Sequence, residues 1–214
     1  MTKPTPLFGR LALIGVGLIG SSIARAARAQ GVVREIVATA RSAATRRRVA
    51  ELGLADQVVD TNAAAAAGAD LVILCIPVGA CGGVAEEIGP HLKRGATVSD
   101  VGSVKAAVLR DVAPHLAEGI HFVPAHPVAG TENSGPDAGF ATLFVGRWCI
   151  LTPPDGADPA AVEKLAAFWR ALGSHVETMP AAHHDLVLAI TSHLPHLIAY
   201  TIVGTVIGSV RGQG

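Results

Sequence analysis

The stretch Gly15-Val16-Gly17-Leu18-Ile19-Gly20 constrains this chain more than any other, because it directly follows the apolar run at residues 10–14. That run reads as a buried strand and residues 18–29 read as a helix, so the glycines occupy a strand–turn–helix corner. Gly15 permits the tight turn, Gly17 lets the backbone approach a pyrophosphate, and Gly20 lets the helix pack close on the strand. The helix start adds N–H groups without intrahelical partners and the positive end of its dipole. With Leu18 and Ile19, the three glycines are the first candidate cofactor-binding residues. The plainer alternative is a glycine-rich turn that binds nothing.

The rest of the first half repeats the same alternation. Apolar runs at 35–39, 71–76 and 96–99 alternate with helical patterns at 43–52 and 80–92. Strands that are apolar throughout need cover on both faces, which implies an α/β, doubly wound, mainly parallel sheet of the Rossmann type. Further strands are expected near 121–124, 148–152 and 175–178, with a helix over 159–172. The alanine run at 63–67 reads as helix, since alanine is the best helix former. From about residue 181 the pattern becomes one long apolar helix. This shift divides the chain into a dinucleotide-binding domain over 1–180 and the start of a helical domain over 181–214. A length of 214 residues suits one domain plus a fragment of a second, with roughly 70% of the unfolded surface buried.

Composition excludes several function classes. Half of the residues are hydrophobic and 16% are charged, so the chain is not disordered. Lys and Arg number 17 against 17 Asp and Glu, and this balance gives no support for a nucleic-acid partner. Aromatics at 4% argue against stacking platforms for single strands. Cys75, Cys81 and Cys149 form no C-x-x-C pair, which speaks against a disulfide framework or structural zinc and for a reducing compartment. Residues 1–9 lack the apolar core of a signal peptide. The stretch 186–208 is long enough to span a bilayer but carries His193, Pro195 and His196 in its middle, so a buried or partner-seeking helix is the better reading. A soluble cytoplasmic protein, with no membrane association, is expected.

The end of the second strand bears on the nucleotide. A carboxylate about 20 residues beyond Gly20 would hold the ribose 2′-hydroxyl of NAD. That position falls in Thr39-Ala40-Arg41-Ser42, which has no acid. Arg41 and Ser42, with the arginines at 46–48 a turn further along, suit a 2′-phosphate. This favours NADP and leaves NAD open. The arginine run also has a simpler reading as a solvated helix face.

Three segments lie where a parallel sheet presents ligands, beyond the carboxyl ends of its strands. They are Asp100-Val101-Gly102-Ser103-Val104-Lys105, the stretch from His126-Pro127 to Gly135, and His183-His184-Asp185 followed by His193-Leu194-Pro195-His196. His126 offers a neutral acceptor near pH 7, or simply ends a strand held extended by Pro127. Ser103 is placed to cap a helix over 104–112. Asp100 reads as turn chemistry and Lys105 as a solvated first-turn charge, while His183 and His184 read as polar residues at a helix start. His193 and His196 share a helix face, but no carboxylate stands at a matching spacing, so no metal is expected. Pro195 should kink that helix.

Four of these segments together resemble the prephenate/arogenate (cyclohexadienyl) dehydrogenase family of tyrosine biosynthesis. They are the glycine turn, D-x-G-S-V-K at 100–105, H-P-x-A-G-T-E-x-S-G at 126–135 and S-H-L-P-H at 192–196, and the likeness runs from about residue 10 to about 203. The resemblance implies an oxidoreductase that decarboxylates a cyclohexadienol while a hydride passes to the nicotinamide of NAD(P)+. It implies His126 as catalytic acceptor of the ring hydroxyl's charge, and Ser103 as a catalytic partner that reaches the same hydroxyl and orients His126. Thr131, Glu132, His193 and His196 become substrate-side residues, with Glu132 equally readable as a loop charge. Ile76, Pro77 and Gly102 join the glycine turn, Arg41 and Ser42 as cofactor-binding residues. The substrate is prephenate or arogenate, and no residue decides between them.

The resemblance also implies a helical dimerisation domain after residue 180, hence a homodimer through the C-terminal helix. Family members continue further and supply an Arg for the ring carboxylate of the substrate. Arg211 lies in a glycine-rich end and is not equated with it. The expectation is a C-terminally truncated family member with NADP binding retained, turnover weak or absent, and an apolar face left uncovered on the last helix. Two rivals stay open. One is another NAD(P)-dependent dehydrogenase of the β-hydroxyacid or imine reductase type, which would carry a Lys on the helical segment, where this chain has none after Lys164. The other is a non-catalytic dinucleotide-binding module.

Overall fold

A computed structural model describes residues 5–193 and 201. Its elements in chain order are β1 (Phe8–Ile14), α1 (Leu18–Gln30), β2 (Val33–Thr39), α2 (Ala43–Glu51), β3 (Gln57–Val58), α3 (Asn62–Ala66), β4 (Leu71–Leu74), α4 (Cys81–Ile88), β5 (Thr97–Asp100), α5 (Lys105–Val112) and β6 (His121–Phe122). There follow β7 (Ala125–Pro127), β8 (Trp148–Leu151), α6 (Pro159–Ala171), β9 (His175–Thr178) and α7 (Ala181–Leu188).

The first six strands form one sheet in the order β3-β2-β1-β4-β5-β6, and every pair is parallel. The expected α/β Rossmann-type fold is thus present. Alternate residues along each central strand feed opposite faces, as a side-chain period of two requires. Leu11, Leu13, Leu71 and Ile73 pack with Ile23, Phe168 and Trp169 on one face. Ala12, Ile14, Val72 and Leu74 pack with Ala85, Ile88, Val108 and Val112 on the other. Each buried side chain of Leu or Ile size contributes roughly 1.5–3 kcal/mol, so this central layer fixes the register. Strand order reverses between β1 and β4, and a ligand crevice opens at such a switch point.

A second sheet, β7-β8-β9, has an antiparallel and then a parallel pair. The strand expected over 121–124 splits between the two sheets. Val123 still donates to Val98 O, but Pro124 has no N–H to continue the ladder, and the chain crosses to β7. The helix expected over 80–92 likewise ends at Ile88 and passes into a 3₁₀ turn, Gly89–His91, with Pro90 near its start. In place of the first part of one unbroken apolar helix, α7 widens into a π-helical turn at Ala189–His193. Leu186 and Ile190 are exposed at the start of the apolar face expected there, and the remainder of that expected helix, with its kink, lies outside the described residues. Among the described residues no helix is long and apolar enough to cross a membrane.

Candidate active site

The glycine turn sits at the carboxyl edge of β1, against the end of β4. Gly15 has φ +92°, and a Cβ there would come within 2.4 Å of Cys75 O. A Cβ on Gly20 would come within 2.4 Å of Gly15 O. Both glycines are therefore demanded by the protein's own packing. Gly17 is different, because a Cβ there would meet no protein atom within 4 Å. It is also the N-cap of α1 and makes no side-chain capping bond. The leading N–H groups of a 13-residue helix thus face space that the fold leaves open, and a pyrophosphate fits this cradle.

Ile76 and Gly102 come to the same edge. The Ile76 side chain lies against Gly15, and Gly102 packs beneath Val78, directly after Pro77. Leu18 and Ile19 are half-buried against the core. The predicted cofactor residues of three different crossovers are thereby brought together.

The residues predicted for a 2′-phosphate are only partly available. Arg41 and Ser42 lie exposed just past β2. The Ser42 hydroxyl oxygen accepts from Thr45 N at 3.0 Å, capping α2. Arg46 donates to Ala40 O at 2.8 Å and meets Asp60 at 3.0 Å. Arg48 pairs with Asp137 (3.0 Å) and Glu51 (3.0 Å). The run at 46–48 therefore supplies two internal fasteners, and it leaves Arg47 exposed with Arg41.

A polar cluster lies where β7 approaches the β5–α5 corner. Lys105, expected to be a solvated charge, is 0% exposed, as is Asp100. Its ammonium pairs with the Asp100 carboxylate and donates to Ala125 O at 2.8 Å. Asp100 also accepts from Gly102 N at 2.7 Å and from Ala125 N at 3.3 Å. Burial pushes the Asp100 carboxyl up and the Lys105 ammonium down, and the opposite charge of each partner resists this. The carboxylate that makes this burial tolerable is close in sequence but off the helix, so no helical spacing announces it. The pair fastens β7, and with it His126, to the corner bearing Gly102 and Ser103.

His126 is 8% exposed and sits in the middle of β7, opposite Ile150. Its Nδ1 lies 2.9 Å from Nε2 of His184. His184 is 0% exposed, which corrects its reading as a helix-start polar residue. Its Nδ1 lies 2.8 Å from the Asp185 carboxylate, which accepts from Lys105 N (2.7 Å) and Ala106 N (2.9 Å). The cap of α5 is also corrected. The N-cap is Val104, in extended backbone and without a side-chain capping bond, so Ser103 stands one residue too early. A carboxylate from α7 does this work, and Ser103 is left exposed at the corner. His184, Asp185, Asp100 and Lys105 are the residues whose place in the site sequence reasoning missed.

Thr131 and Glu132 are exposed in the loop after β7, with Thr131 Oγ1 accepting from Asn133 N at 3.2 Å. The Arg48–Asp137 pair and a bond from Phe140 N to Ser22 Oγ tie the far end of this loop to α2 and α1. His193 closes the π turn. Its side chain, and all of His196, lie outside the described residues. A cleft of about 960 Å³ beside Leu109, Val162 and Met179 is lined by none of these site residues.

Fold and site define a class: an oxidoreductase that works with a nicotinamide dinucleotide. Comparison with known proteins narrows this. The family described as "Prephenate dehydrogenase, nucleotide-binding domain" matches residues 23–178, and "Prephenate dehydrogenase, dimerization domain" matches 180–213. The cyclohexadienyl dehydrogenase of Zymomonas mobilis is 46% identical over 202 residues, covering 94% of this chain and 69% of that protein. The crystal structure of Aquifex aeolicus prephenate dehydrogenase in complex with hydroxyphenyl propionate and NAD+ aligns with TM-score 0.87 at 32% identity, covering 94% of this chain and 70% of that one. Synechocystis arogenate dehydrogenase aligns with TM-score 0.82 at 29% identity, covering 92% and 68%. The chain belongs to the prephenate dehydrogenase family and is an oxidoreductase of the prephenate/arogenate dehydrogenase type.

Proposed function

We propose that this chain oxidatively decarboxylates prephenate or arogenate on the route to L-tyrosine, with NADP+ as the favoured acceptor. The observation that carries the reading is His126, a buried histidine pinned beside the β5–α5 corner at the edge that bears the glycine turn. His126 accepts the proton of the substrate's ring hydroxyl as that carbon turns toward a ketone. The bound nicotinamide supplies a hydride acceptor for that carbon. The ring–carboxylate bond then breaks, its electron pair enters the ring, and carbon dioxide leaves an aromatic phenol. Ser103, exposed at the corner, serves the same hydroxyl. Thr131, Glu132, His193 and His196 serve the rest of the substrate.

Arg41, joined by Arg47, supports the NADP reading, since neither has been committed to the internal bonds that hold Arg46 and Arg48. NAD+ is the second reading, favoured by the relative crystallised with NAD+. The chain divides near residue 180, and the match to a dimerization domain over 180–213 supports a homodimer through that segment.

The test mixes the protein with NADP+ or NAD+ and with prephenate or arogenate near neutral pH, and follows the reduced cofactor. His126→Asn should retain cofactor binding and lose about 10²–10⁴-fold in turnover. Unchanged turnover in that variant refutes the assignment. Arg41→Ala should move the cofactor preference from NADP+ toward NAD+.

A further inference from the structure

We propose that His184 and Asp185 are positioning residues that hold His126 in one tautomer, with the proton on Nδ1 and the lone pair on Nε2. The inference rests on the reading of His126 as the substrate's proton acceptor. Its geometry is independent of that reading.

The hydrogen-bond chain starts at the Asp185 carboxylate. Asp185 receives N–H donors from Lys105 and Ala106 at the start of α5, at 2.7 and 2.9 Å. Burial alone would raise its pKa, but these donors and His184 hold it below the usual carboxylate range. At neutral pH it is ionised and can only accept. His184 Nδ1, 2.8 Å away, must therefore carry a proton. Burial also pushes the imidazolium form of His184 down, so the ring is neutral and holds a single proton. Its Nε2 is then a bare acceptor. Because Nε2 lies 2.9 Å from His126 Nδ1, and two lone pairs cannot share that distance, His126 Nδ1 donates.

A neutral His126 with its proton on Nδ1 has its basic nitrogen at Nε2. The opposite tautomer would present a donor at Nε2 and could not take the hydroxyl proton. Among the described residues, the charged groups around His184 are Asp185 on its own helix and Lys105 and Asp100 from α5 and β5, with His126 facing it from β7. Lys105 opposes a charge on His184 and Asp100 offsets this, so the direction set by burial stands. In a Ser-His-Asp triad the wrong tautomer costs about 10⁴-fold in kcat. Here a second imidazole separates carboxylate and base and relays the same instruction.

The test is the ring ¹⁵N spectrum of the histidine-labelled protein near pH 7.5, with His126 assigned by its absence in His126→Asn. We expect a protonated-type Nδ1 and an unprotonated-type Nε2 for His126. In His184→Phe this pattern should be lost, with kcat falling about 10²–10⁴-fold and cofactor affinity unchanged. In Asp185→Asn the amide can donate to His184, and both rings should move toward the Nε2–H form. A purely structural role for His184 would lower melting temperature and cofactor affinity together, and would leave the His126 tautomer as it was. A His126 Nε2–H form in the parent protein overturns the inference, as does an unchanged ring pattern in His184→Phe. If His184→Phe fails to fold, the parent spectrum and Asp185→Asn decide. The spectrum needs no turnover, so failure of the reaction assignment is read separately, from the activity of His126→Asn.

Discussion

Replacing Lys105 with Met should cost far more than a first-turn helix residue normally does. Both members of the Lys105–Asp100 pair are 0% exposed, so the variant leaves a carboxylate in the interior with two backbone N–H donors and no cation. It also removes the donor that Ala125 O receives at 2.8 Å. Breaking one side of a buried pair costs about 3–5 kcal/mol. For a domain of this size each kcal/mol moves Tm by about 2–4 °C, so the drop should be roughly 6–20 °C by thermal circular dichroism.

The sign of the pH dependence follows from Asp100, whose carboxyl burial pushes up. With Lys105 gone, no cation among the described residues opposes that push. A folded pKa above the unfolded value of about 3.9 favours folding below the unfolded value and loses that advantage as pH rises through the folded one. The deficit of K105M should therefore be smallest near pH 5 and grow toward pH 8. Adding Asp100→Asn should recover part of the loss, because the stranded charge is removed. A K105M protein melting within about 2 °C of the parent, or a deficit flat across this pH range, would refute the argument.

The two glycines of the turn should separate folding from binding. Gly15→Ala meets Cys75 O at 2.4 Å with φ +92° and should lose more than about 1 kcal/mol of stability, while Gly17→Ala meets nothing within 4 Å and should melt like the parent. By fluorescence titration Gly17→Ala should nonetheless bind the dinucleotide at least about tenfold more weakly; equal melting losses in the two variants would sink the distinction. Asp185→Ala should lose the cap of α5, about 0.5–2 kcal/mol at neutral pH. The folded pKa of Asp185 is depressed, so its contribution is present above the unfolded value and lost as pH falls through the folded one; the two melting curves should converge in acid, and parallel curves would exclude the cap.

What could be read from the sequence divides along the range of the interactions involved. The glycine turn and the parallel sheet were legible because apolar runs report burial directly and glycine spacing reports local backbone. The fates of the charged residues were not. Lys105 read as solvated, and only its contact with Asp100 and the Ala125 carbonyl makes its burial tolerable. The arginines at 46–48 suggested a phosphate site, yet Arg46 and Arg48 are engaged at the surface by Asp60 and Asp137.

His184 shows the limit most sharply. Its partner His126 is 58 residues away, and the amides that fix Asp185 are 79 and 80 residues away. Sequence spacing carries no signal at that range, and the H-H-D run offers no hint of which imidazole turns inward. The consequence reaches beyond prediction. His184 and Asp185, the residues proposed to orient His126, both stand on α7, after the segment matched to the nucleotide-binding domain ends at 178. The same carboxylate caps α5, directly after the corner that carries Gly102 and Ser103. On the proposed reading, the dinucleotide-binding residues all precede residue 180, whereas the tautomer of the base would be set by the helix that follows. Cofactor binding should therefore tolerate damage to α7 that the chemical step does not.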